Sequence, residues 1–297
     1  MQLLFAQYSH GLHEIHYQGK ASWLIVQSWG ELLVAKTGAQ ILHYQPLEQH
    51  PVFWLNEIEQ VLHSAENDSA ASEAVRGGVP LCWPWFGLHA DNAKPKHGLA
   101  RTAQWYLQEH SFLSAEGELS RLLFGPTQQL DSALEIQLQL EVSKNCLQIT
   151  LTTKNISAVE QSLTQALHSY FLVSDCAAIE LKGLKNCDFF DKLDAGTLKT
   201  QSKTLSNIQA IDNIYHHSGT VTISDPTMAR NIVVTKKSSG STVVWNPGSA
   251  AGELDIKRGQ QFICVEAANT EVDHLVLSPG KKVCLQQSIA IETRVEK

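Results

Sequence analysis

The sequence predicts an all-β fold, a large antiparallel β-sandwich that forms one domain over residues 1–297. Three observations lead there. Apolar residues recur with a period of two along much of the chain, the runs that show it are short, and turn residues separate them at close spacing. Neither a long amphipathic helix pattern nor an internal repeat stands beside them. A length of 297 residues would suit two domains, but all-β sandwiches run to about 250 residues or more as one unit.

The first strand candidates, 31–36 and 39–44, flank a turn at Thr37-Gly38. A run at 120–124 comes next, and then the clearest case, where Leu134, Ile136, Leu138, Leu140 and Val142 alternate with polar residues. Lys144-Asn145 offers a turn, and Leu147, Ile149 and Leu151 resume the alternation, so this pair reads as an antiparallel hairpin with one wet face. Further candidates are 179–183, 220–224, 231–235, 241–245, 261–266, 274–278 and 282–291. Between them lie Ser224-Asp225-Pro226, Ser238-Ser239-Gly240, Asn246-Pro247-Gly248 and Ser278-Pro279-Gly280, all turn formers. The segment 64–74 is small and polar, and reads as a loop within the domain.

Hydrophobic residues at 43% can fill a large core. A net charge of -7, with no Lys/Arg-rich run, argues against a nucleic-acid partner and leaves room for a local cationic pocket. The N-terminus lacks the pattern of a secretory signal, and no apolar stretch approaches the ~20 residues needed to cross a bilayer. No membrane partner is expected, and the cytoplasm is the expected location. The cysteines Cys82, Cys146, Cys176, Cys187, Cys264 and Cys284 form no CxxC pair and no zinc-like spacing. Their even number permits three disulfides, but several sit inside apolar strand patterns, and free thiols are expected.

Residues 76–101 break the strand pattern. Gly77-Gly78 lets the backbone approach a ligand closely, Pro80 and Pro84 stiffen the chain around Trp83, and Trp83, Trp85 and Phe86 can form a platform for the apolar face of a sugar. On this reading Arg76, His97 and Arg101 edge a binding site. The competing reading is a buried Trp/Pro connection whose arginines face solvent. The Gly-Gly pair is no phosphate loop, since no Lys-Ser/Thr comes after it.

Elsewhere three residues stand out. His168, if on a strand, shares a face with Ala166 and Tyr170. Glu266 closes the apolar run that starts at Gln261, and a carboxylate buried there needs a partner or a raised pKa. Asp212 lies in a loop-like stretch. Each has a plain alternative: a structural histidine, a strand-end glutamate in water, a turn residue. His216-His217 reads as exposed, and no compact His/carboxylate set for a metal is visible.

Several segments resemble one family in the same order: Arg76-Gly-Gly-Val-Pro-Leu-Cys-Trp-Pro-Trp-Phe-Gly87, His97-Gly-Leu-Ala-Arg101, Ala166-Leu-His-Ser-Tyr-Phe171, Asp212-Asn-Ile-Tyr215, Val244-Trp-Asn-Pro-Gly248 and Cys264-Val-Glu266. They are similar to the D-hexose-6-phosphate mutarotases, the glucose-6-phosphate 1-epimerase branch of the aldose 1-epimerase, or galactose mutarotase-like, superfamily. The resemblance implies a supersandwich fold and interconversion of the α and β anomers of a hexose 6-phosphate, without cofactor or metal. It makes His168 the general acid and Glu266 the general base. Arg76, Arg101 and Asp212 become substrate contacts, and His97 lines the pocket. The family commonly has Gln before the His-Gly pair; this chain has Lys96, which could add a phosphate contact. A base for the anomeric hydroxyl and an acid for the ring oxygen are what ring opening requires. Two other readings stay open: a mutarotase for free aldoses, and a non-catalytic carbohydrate-binding sandwich on the same fold.

Overall fold

The computed structural model describes residues 2–56, 75–91, 93–113, 119–248 and 259–293; the expected loop at 64–74 lies outside them. Strands β1 (Gly11–Tyr17), β2 (Lys20–Gln27), β3 (Gly30–Ala35) and β4 (Ile41–Pro46) form a four-stranded antiparallel sheet in chain order. Then come β5 (Leu81–Cys82), β6 (Trp105–Phe112), β7 (Leu119–Pro126), β8 (Leu134–Ser143), β9 (Cys146–Asn155), β10 (Gln161–Leu163), β11 (Gln165–Leu167) and β12 (Tyr170–Leu172). The chain continues through β13 (Glu180–Lys182), β14 (Asp188–Asp191), β15 (Thr197–Thr200), β16 (Leu205–Ser206), β17 (Ile211–His216) and β18 (Val221–Asp225). It ends with β19 (Arg230–Lys237), β20 (Ser241–Asn246), β21 (Phe262–Asn269), β22 (Leu275–Leu277) and β23 (Lys282–Thr293).

Two large antiparallel sheets dominate. One has nine strands in the order β16-β13-β18-β19-β23-β9-β8-β7-β6. The other has eight, running β15-β14-β17-β20-β21-β11-β5, with β12 also paired to β21. Their inner faces share one apolar core. Leu138, Leu140, Ile149 and Leu151 of the nine-stranded sheet belong to the same buried cluster as Tyr215, Val244, Val265 and Leu167 of the other. The alternation read for β8 and β9 is therefore the inward face of a sandwich layer. The hairpin turn falls at Lys144-Asn145, as the sequence predicts. Strands β1 and β2 are not visible by alternation. The reason for β2 is that Trp23, Leu24, Ile25 and Val26 are all buried, so its two faces carry the same kind of residue.

Side chains on the opposite face of the eight-stranded sheet belong to the site. Along β21, Cys264, Glu266 and Ala268 point there while Ile263, Val265 and Ala267 enter the main core. Asp212 is part of β17 and not of a loop, and its backbone partner is Trp245. Its charge masks a strand whose alternate residues Ile211, Asn213 and Tyr215 are buried.

Gly77 and Gly78 do not serve a ligand by close approach, in contrast to the expectation from sequence. Their positive φ angles of 122° and 59° press the chain against its own backbone. A Cβ on Gly78 would sit 2.0 Å from the carbonyl oxygen of Ile41, and one on Gly77 2.5 Å from that of Trp54. The Gly78 N–H donates to Trp54 O at 2.8 Å, and its own oxygen accepts from Tyr170 N at 2.9 Å. Gly78→Ala should thus cost about 2 kcal/mol or more, from strain and displaced backbone bonds together. Urea unfolding of the variant checks this, and an unchanged midpoint would mean the contact is not needed.

Candidate active site

The gap between β11 and β12 places His168. Leu167 pairs with Ala267 and Tyr170 with Cys264, so the same register sets His168 opposite Glu266, although no ladder bond joins them. The His168 N–H donates instead to Pro80 O at 3.1 Å, in the Gly/Pro segment. Below the gap, Ser169 Oγ donates to Gln287 Oε1 at 2.6 Å, and Gln287 Nε2 donates to Val265 O at 3.1 Å. A side chain of the nine-stranded sheet thereby fixes the break in the other. The interrupted strand keeps the facing expected of a continuous one. His168 stacks on Tyr170 with ring centroids 4.8 Å apart, while Leu167 and Phe171 enter the core.

His168 Nδ1 and Glu266 Oε1 are 3.3 Å apart; the imidazole is 12% exposed and the carboxyl fully buried. Neither that nitrogen nor either carboxyl oxygen makes a hydrogen bond among the described residues. Burial pushes the Glu266 carboxyl well above the usual carboxylate range, and Asp212 adds to the rise while Lys96 opposes it. Burial likewise holds His168 well below the usual histidine range, helped by His97, Arg101 and Lys96. Burial thus favours the neutral form of each group, in contrast to the ionised glutamate and protonated histidine that acid/base chemistry suggests. The proton count is the same in both descriptions.

His97 sits at φ 67°, a strained conformation for a residue with a side chain. The Gly87 N–H donates to its Nδ1 at 3.1 Å, and the His97 N–H donates back to Gly87 O at 2.8 Å. The ring proton must then be on Nε2. Burial lowers the His97 pKa to about 3, with Lys96 and Arg101 contributing, so the ring is a neutral donor. Its face lies edge-on to His168 at 5.7 Å, and Trp245 meets His168 edge-on at 6.1 Å.

A cleft of about 700 Å³ opens over these groups. Its lining brings together Arg76, Lys96, His97, Arg101, His168, Asp212 and Glu266, every site residue that the sequence singles out. Burial raises the Asp212 pKa, against the pull of Lys192 and Lys96. Arg76, Lys96 and Arg101 have no ion-pair partner among the described residues.

Sequence reasoning misses three contributors. Lys192 and Glu271 also line the cleft and approach each other to 3.7 Å; in a single sequence they are ordinary charged loop residues. Cys264 reads as a core thiol, yet one of its atoms lies within 4.8 Å of ligand atoms of both His168 and Glu266. A compact His/Cys/Glu set thus exists where none is visible in the sequence, because residues about 100 positions apart meet only through the register of β12 on β21. His217 corrects another expectation. It is half-buried, with Nδ1 2.9 Å from Thr242 Oγ1, and burial beside Lys236 lowers its pKa to about 4. All six cysteines are free, with Cys82, Cys176 and Cys264 buried. No helix among the described residues is long and apolar enough to cross a membrane.

A buried carboxyl 3.3 Å from an imidazole, on the floor of a sugar-sized cleft in an antiparallel β-sandwich, is an arrangement able to exchange protons with a bound ligand. Comparison with known proteins agrees: the chain belongs to the aldose 1-epimerase family, whose model matches residues 28–290. An Escherichia coli K12 protein with the provisional name glucose-6-phosphate 1-epimerase is 29% identical over 272 residues, 88% of this chain and 86% of its own. A Salmonella typhimurium LT2 protein of the same provisional name is 31% identical over 78% of this chain and 77% of its own. A Salmonella typhimurium crystal structure, described provisionally as a mutarotase, superposes with a TM-score of 0.82 at 26% identity, covering 95% of this chain and 94% of the other.

The buried carboxyl has a consequence for stability. Its folded pKa lies above its ordinary value of 4.5, so the folded state binds more protons than the unfolded one once the pH exceeds 4.5. Wild-type stability therefore loses a contribution as the pH rises from there through the folded pKa. Glu266→Gln cannot titrate. The stability of Glu266→Gln relative to wild type should rise between pH 5 and pH 8, by about 1.4 kcal/mol for each pH unit of displacement in that window. Urea unfolding at the two pH values measures it, and a constant difference would show an ordinary carboxyl.

Proposed function

We propose that this protein interconverts the α and β anomers of a hexose 6-phosphate, with glucose 6-phosphate as substrate. The observation that carries the reading is the His168–Glu266 pair, which among the described residues is buried without other partners and faces a cleft edged by cations without ion pairs. The provisional names of the Escherichia coli and Salmonella relatives support the phosphorylated substrate.

Glu266 acts as base and His168 as acid. Transfer of a proton from the carboxyl to the imidazole, 3.3 Å away, arms both groups without changing the proton count. The carboxylate then accepts the proton of the anomeric hydroxyl. The carbonyl forms as the bond from the anomeric carbon to the ring oxygen breaks, and that oxygen takes the imidazolium proton. After rotation about the adjacent carbon–carbon bond the ring closes on the other face, with both proton transfers reversed. The aldehyde oxygen carries developing charge on the way, and the neutral His97, with its Nε2 proton fixed by Gly87, is suited to donate to the sugar. Asp212 takes a sugar hydroxyl. Trp245 and Phe86 offer apolar surface to the ring.

Arg76, Arg101 and Lys96 hold the phosphate. Its charge is remote from the reacting bond, so its binding energy serves to orient the ring. The free-aldose reading makes no use of three cations that lack ion pairs among the described residues, in a chain of net charge -7.

Magnetisation-exchange NMR of glucose 6-phosphate and of glucose, each with and without the protein, tests the reaction. Exchange should be accelerated for the phosphorylated sugar far more than for the free one. His168→Asn and Glu266→Gln should each lower turnover on the order of 100-fold or more while the fold survives. A folded Glu266→Gln protein with normal turnover would sink the assignment.

The cations make a separate prediction. Arg76→Ala and Arg101→Ala should each weaken use of glucose 6-phosphate by roughly 1.5–3 kcal/mol, the range for a hydrogen bond to a charged group. Use of free glucose should change much less, and Lys96→Gln should have a smaller effect than either. The readout is the ratio of kcat/KM for the two sugars. If neither arginine substitution moves that ratio, these side chains do not read a phosphate.

A further inference from the structure

The donor set at the floor of the cleft is richer than ring opening requires. Cys264 and Glu266 are two residues apart on β21 and point to the same face, and His168 stands across from Glu266. One ligand atom from each of the three lies within 4.8 Å of the others. Glu266 Oε1 and Oε2 and His168 Nδ1 are buried polar atoms without a hydrogen-bond partner. Thiolate, imidazole and carboxylate together are a ligand set that suits zinc.

We propose that His168, Cys264 and Glu266 form a site for a thiophilic divalent cation of the zinc type, and that its occupation switches catalysis off. Around zinc, bonds of about 2.0–2.3 Å hold neighbouring ligand atoms about 3.5 Å apart, so the trio closes on an ion by side-chain rotations of about 1 Å. On binding, the thiol and the carboxyl release their protons to solvent; the resulting thiolate and carboxylate neutralise the ion, and the carboxylate gains a partner that it lacks among the described residues. The fourth position faces the cleft. His168, 12% exposed, is the member an entering ion meets first. Arg76, Lys96 and Arg101 on the same cleft oppose a cation, so an anionic sugar and the metal exclude each other.

Inhibition stems from the pair's use in catalysis and so rests on the proposed mechanism; metal binding does not. An ion that coordinates both His168 and Glu266 takes away the lone pairs that exchange protons with the sugar. Chelators are thus expected to protect activity and not to abolish it.

Cadmium is the probe, because its bond to a thiolate gives a charge-transfer band in the ultraviolet. The full chain carrying Cys284→Ser, which removes the exposed thiol, is titrated with cadmium chloride in the absence of sugar. The expected result is a band that saturates at one equivalent and is absent when Cys264→Ala or Cys264→Ser is added. His168→Asn and Glu266→Gln should each weaken the affinity at least about tenfold. With sugar present, zinc should slow anomerisation reversibly, and the Cys264 variants should need at least about tenfold more zinc for the same effect. A band that persists in both Cys264 variants, or no band at all, overturns the site. Binding as expected but with anomerisation untouched by bound zinc overturns the switch. A protein that binds cadmium in this way yet catalyses no anomerisation retains the site and refutes the mutarotase reading instead.

Discussion

A carboxyl group with no hydrogen-bond partner, held in a protein interior beside an imidazole, is the constraint on which the rest of this structure depends. Leaving such groups unpaired costs roughly 1–3 kcal/mol each, and the side chains would escape if their surroundings allowed it. Here they cannot. Glu266 is fixed at mid-strand by its neighbours on β20, and His168 by a break in the strand across from it. That break is secured from three sides: Pro80 accepts from its backbone, Gly78 accepts from Tyr170, and Gln287 reaches up from the other sheet. The Gly77-Gly78 pair therefore acts on the site at one remove. Its lack of side chains lets the motif segment lie close enough to bond to residues 168 and 170.

Electrostatics divides the cleft in two. At the floor, burial pushes His168 and Glu266 toward neutrality, and a proton passing between them would leave the net charge unchanged. Along the edge, Arg76, Lys96 and Arg101 concentrate positive charge without local compensation among the described residues, while Lys192 meets Glu271. That pair is exposed, and such pairs are worth about 0–1 kcal/mol, so an anionic ligand can rearrange it easily. The floor needs dryness and the edge needs charge. A sandwich with side chains on its outer sheet face and loops around them supplies both.

Period-two alternation makes the sheets legible wherever one face is wet, as in β8 and β9. It fails for β2, which is buried on both faces, and for β17, where Asp212, which lines the cleft, interrupts the apolar pattern. The candidate site is legible residue by residue, because its members lie in motif strings that resemble one family. Their mutual arrangement is not. Cys264 is the instructive miss: nothing local distinguishes it from the other core cysteines, and only the pairing of β12 on β21 brings it to His168. His217 is misread for a similar reason, since its partner Thr242 lies on the neighbouring strand β20.

The division between strand and loop also says which properties of this protein can change independently. His168 and Glu266 are locked to each other by the register that pairs Leu167 with Ala267 and Tyr170 with Cys264. A one-residue slip would turn Val265 or Ala267 toward the cleft and bury the carboxyl in the apolar core. The juxtaposition of His168 and Glu266 therefore stands or falls with the sandwich itself. Arg76, Lys96, Arg101 and Lys192 sit on connections outside the strands, where exchange of one side chain for another disturbs little packing. Charge at the edge, Lys96 included, can therefore change while the arrangement at the floor is kept.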